Sequence, residues 1–223
     1  MKKFVIMAAG DFPVHPVPLQ VLNSADVIVA CDSAASDLVK RNICIDYVVG
    51  DMDSLEPAYR ELLKEKLIHI REQDTNDLQK AFRFTCTLLA PGDRITILGA
   101  AGKREDHTIA NISLLTDFAL VHPEIRICTD TGVFFPVLES GTFSSFPGQA
   151  ISLFNPGSGK IFLDSWNLEY PLDHLELSKW WTASLNRTSG NSNLSRQILS
   201  SSSFRSFLPD KRQRPRSPPP LQG

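Results

Sequence analysis

The chain has 223 residues, 42% of them hydrophobic and 22% charged, with a formal net charge of -2. That is enough apolar material for a proper core. The near balance of charge argues against a general nucleic-acid binder, which needs a basic stripe. Cys31, Cys44, Cys86 and Cys128 lie far apart with no CxxC pair, so reduced thiols are expected rather than zinc or a redox couple.

In chain order, the opening Met-Lys-Lys-Phe-Val-Ile-Met-Ala-Ala-Gly has too short an apolar run for a secretory leader and is met at once by an acid and prolines. It reads as a first buried strand over residues 3–8. Further short, β-branched runs predict strands over 27–31, 47–49, 67–70 and 95–98. Between them, helical patterns cover 34–41, 57–66, 77–89 and 107–121. Pro57 suits a first helical turn, and Asp77 is expected to cap its helix. From residue 125 the pattern changes to strand candidates over 126–129, 133–138, 141–146, 150–154 and 160–163, broken by Gly, Pro, Asn and Ser. The expectation is a parallel-sheet, Rossmann-like α/β nucleotide-binding domain over 1–123, followed by a small all-β sandwich over 124–190. Residues 191–223 turn to Ser, Arg and Pro. With so little apolar surface they are expected to form a disordered tail that leaves the sandwich without its closing strands. No stretch approaches the length of a membrane span, and a cytoplasmic protein is expected.

Four of these strands run out into aspartates. The second ends at Asp32, and the third leads into Gly50-Asp51-Met52-Asp53-Ser54. The fourth is followed by Asp74 and Asp77, and the fifth reaches Asp106 through residues 99–107, Gly-Ala-Ala-Gly-Lys-Arg-Glu-Asp-His. In an open parallel sheet all carboxyl ends face one crevice, so acids distant in sequence gather there. Packed carboxylates repel unless a cation sits among them. Mg²⁺, a hard ion that bridges carboxylates and phosphates, is the expected one. Residues 99–107 leave a strand and open a helix, where free N–H groups favour an anion, and Lys103 and Arg104 add charge suited to phosphate. The spacing is neither a Walker A loop nor a dinucleotide fingerprint.

Taken together, Asp32, the 50–54 motif, Asp-Thr-Asn-Asp at 74–77, and 99–107 with Asn111 one turn later resemble the thiamine pyrophosphokinase family, in its bacterial form. The resemblance covers roughly residues 1–187. It implies an enzyme that transfers the diphosphoryl group of ATP to the hydroxyl of thiamine, giving thiamine diphosphate and AMP. It also implies a homodimer whose active site is shared between chains, with no nucleic-acid or membrane partner. By the family pattern Asp51, Asp53 and Asp74 are the magnesium ligands, with Arg104 and Asp106 beside the phosphates. Asp32, Asp77, Gly99, Gly102, Lys103 and Asn111 fall on the nucleotide side. In the second domain Tyr170-Pro171-Leu172 and residues 180–186 resemble the thiamine segment, with Trp180, Ser184 and Asn186 as substrate contacts. A tryptophan face can stack on a cationic ring. The departures are Ser33-Ala34 where the family commonly has glycines, and Leu185 between Ser184 and Asn186. The alternatives are a diphosphokinase for another hydroxymethyl heterocycle, such as a pterin, and a non-catalytic Mg-nucleotide-binding module.

Overall fold

A computed structural model describes residues 1–157, 159–178, 180, 182–189 and 195–201, and the chain divides into two compact units, 1–137 and 138–223. The first is an α/β layer structure. In order it comprises β1 (Lys3–Met7), α1 (Pro16–Asn23), β2 (Val27–Cys31), α2 (Ala34–Lys40), β3 (Tyr47–Gly50), α3 (Pro57–Leu62), β4 (Leu67–His69), α4 (Asp77–Cys86), β5 (Arg94–Leu98), α5 (Glu105–Val121), β6 (Ile125–Cys128) and β7 (Val133–Phe134). The sheet order is β4-β3-β2-β1-β5-β6-β7, with every pairing parallel except β6 with β7. The chain winds from β1 outward to β4, then returns to the other side of β1 for β5. That reversal places the topological switch between β1 and β5, where ligands enter such sheets.

The strands are short apolar runs because both faces of a parallel sheet are covered. Val5, Met7, Ile28, Ala30 and Val48 pack with Leu22 of α1 and Leu38 of α2. The alternating Phe4, Ile6, Val29 and Val49 are equally buried, and α4 packs on β1, β2 and β3. Phe82 of α4 and Phe118 of α5 stack with ring centroids 4.0 Å apart. Helix α1, which carries Pro16 and Pro18, has no counterpart among the expected elements. Both fall in its first turn, where no intrahelical N–H is required, and His15 caps it by accepting from the Val17 N–H.

The α/β unit was expected to end at residue 123, yet it takes in the next two strands. β6 reads as an isolated short run in sequence. In three dimensions it extends the parallel sheet, pairing Ile95, Thr96 and Ile97 with Ile125, Arg126 and Ile127, and its Ile125 and Ile127 are buried.

The second unit holds β8 (Gly141–Ser145), β9 (Ala150–Phe154), β10 (Ile161–Ser165), β11 (Leu175–Leu177), β12 (Thr182–Arg187) and β13 (Ser195–Ser201). They form an antiparallel sheet ordered β11-β10-β13-β8 and a two-stranded sheet β12-β9. A parallel-sheet domain followed by a small β domain is therefore the fold. β13 corrects the expected tail. Residues 195–201 lie between β8 and β10, so the missing closing strand is present. Composition alone fails there because a strand flanked on both sides satisfies its backbone groups on two ladders, whatever its side chains. The remainder of the expected tail, 191–194 and 202–223, lies outside the described residues.

Truncating Phe82 to Ala should leave a cavity against Phe118 and cost about 3–5 kcal/mol. Chemical denaturation of the full chain measures this, and a loss under about 1 kcal/mol would show that the stacked pair is not part of the stabilising core.

Candidate active site

The carboxyl ends of β2 and β3 bring their acids together through specific local geometry. Asp32, just past β2, is 2% exposed. Its Oδ2 accepts the Ser54 N–H at 3.0 Å, while its Oδ1 is buried with no hydrogen-bond partner among the described residues. Burial pushes its carboxyl above the ordinary range; the Ser54 N–H opposes this, and the charges of Asp77 and Asp51 add to the rise. Gly50, the last residue of β3, permits this approach. A Cβ there would lie 2.8 Å from the Asp32 Cβ and 3.2 Å from Asp77 Oδ1.

Asp51 is held in the charged form. Its Oδ1 accepts the Asp53 N–H at 3.2 Å and its Oδ2 accepts from Gln73 Nε2 at 3.0 Å. These bonds, with Lys80 beyond them, keep its pKa low. Met52 between the two acids has φ +65°, a left-handed conformation that a non-glycine residue adopts at a cost. It is 3% exposed, and its carbonyl accepts from Arg60 Nη2. A buried side chain and an arginine thus hold the turn that places Asp51 and Asp53 two residues apart.

Asp77 does not cap α4. Asn76 does, in a reciprocal capping box with Gln79, which leaves the Asp77 carboxylate free to face inward. There it meets a residue that sequence reasoning missed. Lys80 is 1% exposed, with its Nζ 3.4 Å from Asp77 Oδ1 and 3.6 Å from Asp51 Oδ2. Its place one turn after Asp77 was a visible signal, because i and i+3 share a helix face. Burial raises the Asp77 pKa, with Lys80 opposing and Asp51 and Asp53 reinforcing the rise.

Asp74 is exposed, one residue after the Gln73 that bonds Asp51. Its N–H donates to Glu72 Oε2 at 2.8 Å, and the same carboxylate accepts from Thr75 and pairs with Arg83 at 2.6 Å. Glu72 therefore pins the loop with Asp74 exposed. Among the described residues, no three Asp, Glu, His or Cys side chains are gathered closely enough to hold a metal, so the trio expected from sequence is not preassembled. The cation among the acids is Lys80.

Across the switch point, the loop after β1 runs alongside the loop after β5. Ala8 N–H bonds Leu98 O, Gly10 N–H bonds Gly99 O, and Asp11 N–H bonds Ala101 O, at 2.7–2.8 Å. Gly99 (φ +63°) and Gly102 (φ +81°) are required, since a Cβ at Gly102 would meet Asp11 Oδ2 at 2.0 Å. Lys103 (φ +58°) turns its Nζ onto Ala9 O at 3.0 Å and toward Asp37, 3.7 Å away. Asn111 Nδ2 donates to Ala100 O at 2.9 Å, tying α5 to the loop. Arg104 and Asp106 are both exposed and grip one another, Nε to Oδ1 at 3.0 Å with a second parallel bond. Arg104 holds the Asp106 carboxyl down to about 2.

A cavity of about 190 Å³ beside this loop is lined in part by Asp11, Pro13, Gly102, Thr129 and Thr131. Asp130, after β6, repeats the pattern of strands ending in acids. It accepts the Val14 and His15 N–H groups at 2.9–3.1 Å, which fixes the β1 loop.

In the second unit, Trp180 (φ +60°) is 41% exposed, and its N–H donates to Asn155 O at 2.8 Å. Ser184 is exposed, at an irregularity in the β12–β9 register between Ala183 and Asn186. Asn186 is 5% exposed. Its side chain bonds both the N–H and the carbonyl of Tyr170, at 3.1 and 2.7 Å. That amide straps β12 to the Tyr170 segment, a structural use that differs from the expected substrate contact. Trp181 lies outside the described residues.

Two family models match the chain. "Thiamin pyrophosphokinase, catalytic domain" covers residues 19–133 and "Thiamin pyrophosphokinase, substrate-binding domain" covers 132–196. Thiamine pyrophosphokinase 1 of Oryza sativa subsp. japonica is 30% identical over 155 residues, 64% of this chain and 58% of the relative. Thiamine pyrophosphokinase 3 of the same plant is 28% identical over 155 residues, again 64% of this chain and 57% of the relative. The chain thus spans less than two thirds of the length of either curated relative. Among solved structures, thiamine pyrophosphokinase from Bacillus subtilis matches with a TM-score of 0.62 at 20% identity, over 90% of this chain and 94% of that one. The enzyme from Candida albicans matches at 0.62 and 17%, over 89% and 86%. At these identities the structures speak for the fold.

Replacing Gly50 with Ala should force Asp32 and Asp77 apart and destabilise by about 1–3 kcal/mol. Gly132→Ala, whose added Cβ meets nothing within 4 Å, serves as the control. Thermal melts compare the two, and equal melting temperatures would mean the acids do not depend on the bare backbone at Gly50.

Proposed function

The chain belongs to the thiamin pyrophosphokinase family, and on that premise we propose that it transfers the diphosphoryl group of ATP to the hydroxyl of thiamine. The observation that carries this reading is the pairing of Asp51 and Asp77 with buried Lys80, beside Asp32 and inside the segment matched to the catalytic domain. In the balanced reaction the thiamine hydroxyl oxygen bonds to the β-phosphorus of ATP. The bond from that phosphorus to the α,β-bridging oxygen breaks, AMP departs, and the hydroxyl proton passes to a carboxylate. Such transfer is mostly positioning and electrostatic stabilisation.

The donors fit magnesium. Mg²⁺ takes one or two protein carboxylates and fills its remaining positions with water and phosphate oxygens. Asp51, charged and part-exposed, and Asp53 beside it would hold it, with Asp74 able to join only if Glu72 releases its loop. Bound there, the ion would supply neutralisation of charge on the phosphates. Arg104 is the phosphate-facing cation of this reading. When a phosphate takes its guanidinium, Asp106 loses the partner that holds its carboxyl down and becomes available as a proton acceptor. Gly99, Gly102 and Lys103 shape the phosphate loop, with Asn111 fixing it and Asp32 and Asp77 forming its acidic wall. In the second unit, exposed Trp180 and Ser184 are the thiamine contacts of this proposal, and Asn186 supports them through Tyr170. The α/β unit then carries ATP and magnesium chemistry, and the β unit carries thiamine binding and dimerisation. The same reading makes the protein a cytoplasmic homodimer with a shared site. Among the described residues no helix is long and apolar enough to cross a membrane.

Phosphorus NMR of the chain with ATP, Mg²⁺ and thiamine should show AMP and thiamine diphosphate growing together. Nucleotide binding without either product would sink the proposal. Asp53→Asn should lower kcat by about 10²-fold or more with the fold intact; wild-type turnover would remove Asp53 from the metal site. Arg104→Ala should raise the KM for ATP by roughly 10-fold, at about 1.4 kcal/mol per decade, and change that for thiamine little. The opposite split would contradict the phosphate role.

A further inference from the structure

Lys80 is a lysine almost wholly removed from water, and such residues are rarely buried unless paired. Its partners are Asp77 Oδ1 at 3.4 Å and Asp51 Oδ2 at 3.6 Å. The other cations near these loops are directed elsewhere: Arg60 to the Met52 carbonyl, Lys103 to Ala9, and Arg104 to Asp106. Among the described residues, Lys80 is thus the one cation in ion-pair contact with Asp51 and Asp77. The Asn76–Gln79 capping box fixes the start of α4, and with it the one-turn offset between Asp77 and Lys80. Gly50 lets Asp32 approach the same group, its Oδ1 buried without a partner among the described residues.

We propose that Lys80 is a positioning residue, a tethered counter-cation that gathers Asp51 and Asp77 before any metal arrives and so makes divalent-cation binding conditional on the nucleotide. A free divalent ion meets carboxylates that already share a positive charge, and gains little from them. An ion carried by a triphosphate brings its own anionic ligands and needs only Asp51 Oδ1, the oxygen not paired with Lys80, and the Asp53 carboxylate. The role rests on the reading that the cluster receives a Mg²⁺-nucleotide, but its test needs no turnover.

The test is thermal melting of the full chain in EDTA and in millimolar MgCl₂, with calorimetric titration of MgCl₂ alone and with the non-hydrolysable ATP analogue AMP-PNP. The wild-type protein should melt at the same temperature in both solutions and bind Mg²⁺ only in the presence of the nucleotide. Lys80→Met should melt at least roughly 6 °C lower in EDTA, recover more than half of that loss in MgCl₂, and bind Mg²⁺ alone. In Lys80→Met/Asp77→Asn, with one negative charge also removed, the metal dependence should vanish. An equal loss for Lys80→Met in both solutions would show that only packing was lost and would overturn the proposal. So would metal-dependent melting of the wild type, or Mg²⁺ binding to it without nucleotide. If Lys80→Met does not fold, folding of the double variant supports charge compensation, and its failure overturns it. A chain that shows this pattern but makes no thiamine diphosphate would retain the Lys80 role and lose the proposed reaction. Turnover without the pattern would do the reverse.

Discussion

Parallel strands that end side by side carry their terminal acids into one small volume, and the first unit is organised around the repulsion this creates. Asp32 follows β2, Asp51 follows β3, and Asp77 opens α4, which lies across both strands. Their approach needs a residue without a side chain at Gly50 and a cation from within the fold. Lys80 supplies that cation from a helix whose start is fixed by a capping box. Burying one charge without its partners is costly. The acids and the lysine therefore stand or fall as a group, and the surrounding core must form around all of them.

Held loops are the second theme. Met52 and Lys103 have left-handed backbones, which cost energy and persist only where neighbours enforce them. At Met52 the enforcement is burial and the Arg60 bond. At Lys103 it is the ladder between the β1 and β5 loops, with the Lys103 side chain on Ala9. Around both loops, charged groups are paired internally, as in Arg104 with Asp106 and Glu72 with Arg83. Any polyanion approaching Arg104 or Arg83 would have to displace the carboxylate already paired with it. Such exchange favours ligands with geometrically matched phosphates over stray ions.

Much of the α/β fold could be read from the chain because its signals are local. Five apolar runs alternate with helical periods, and glycine-rich turns follow the strands. What local signals do not carry is which sheet a strand joins and whether a polar segment forms one, since both depend on partners remote in sequence. β6 is an ordinary apolar run until it lies beside β5, and β13 is a polar segment until β8 and β10 flank it. α1 starts on two prolines that are harmless in a first turn.

Spacing along the chain is enough to say which acids end which strands, where the glycine loop sits, and which family pattern these match. What each acid touches follows from packing. Asp74 is exposed in a loop whose backbone is held by Glu72, Asn186 bonds the Tyr170 backbone, and Lys80 becomes the cation paired with Asp51 and Asp77. The reason is that a carboxylate's charge, orientation and partners depend on burial and on neighbours from other segments. Those are settled only when the strands and helices pack.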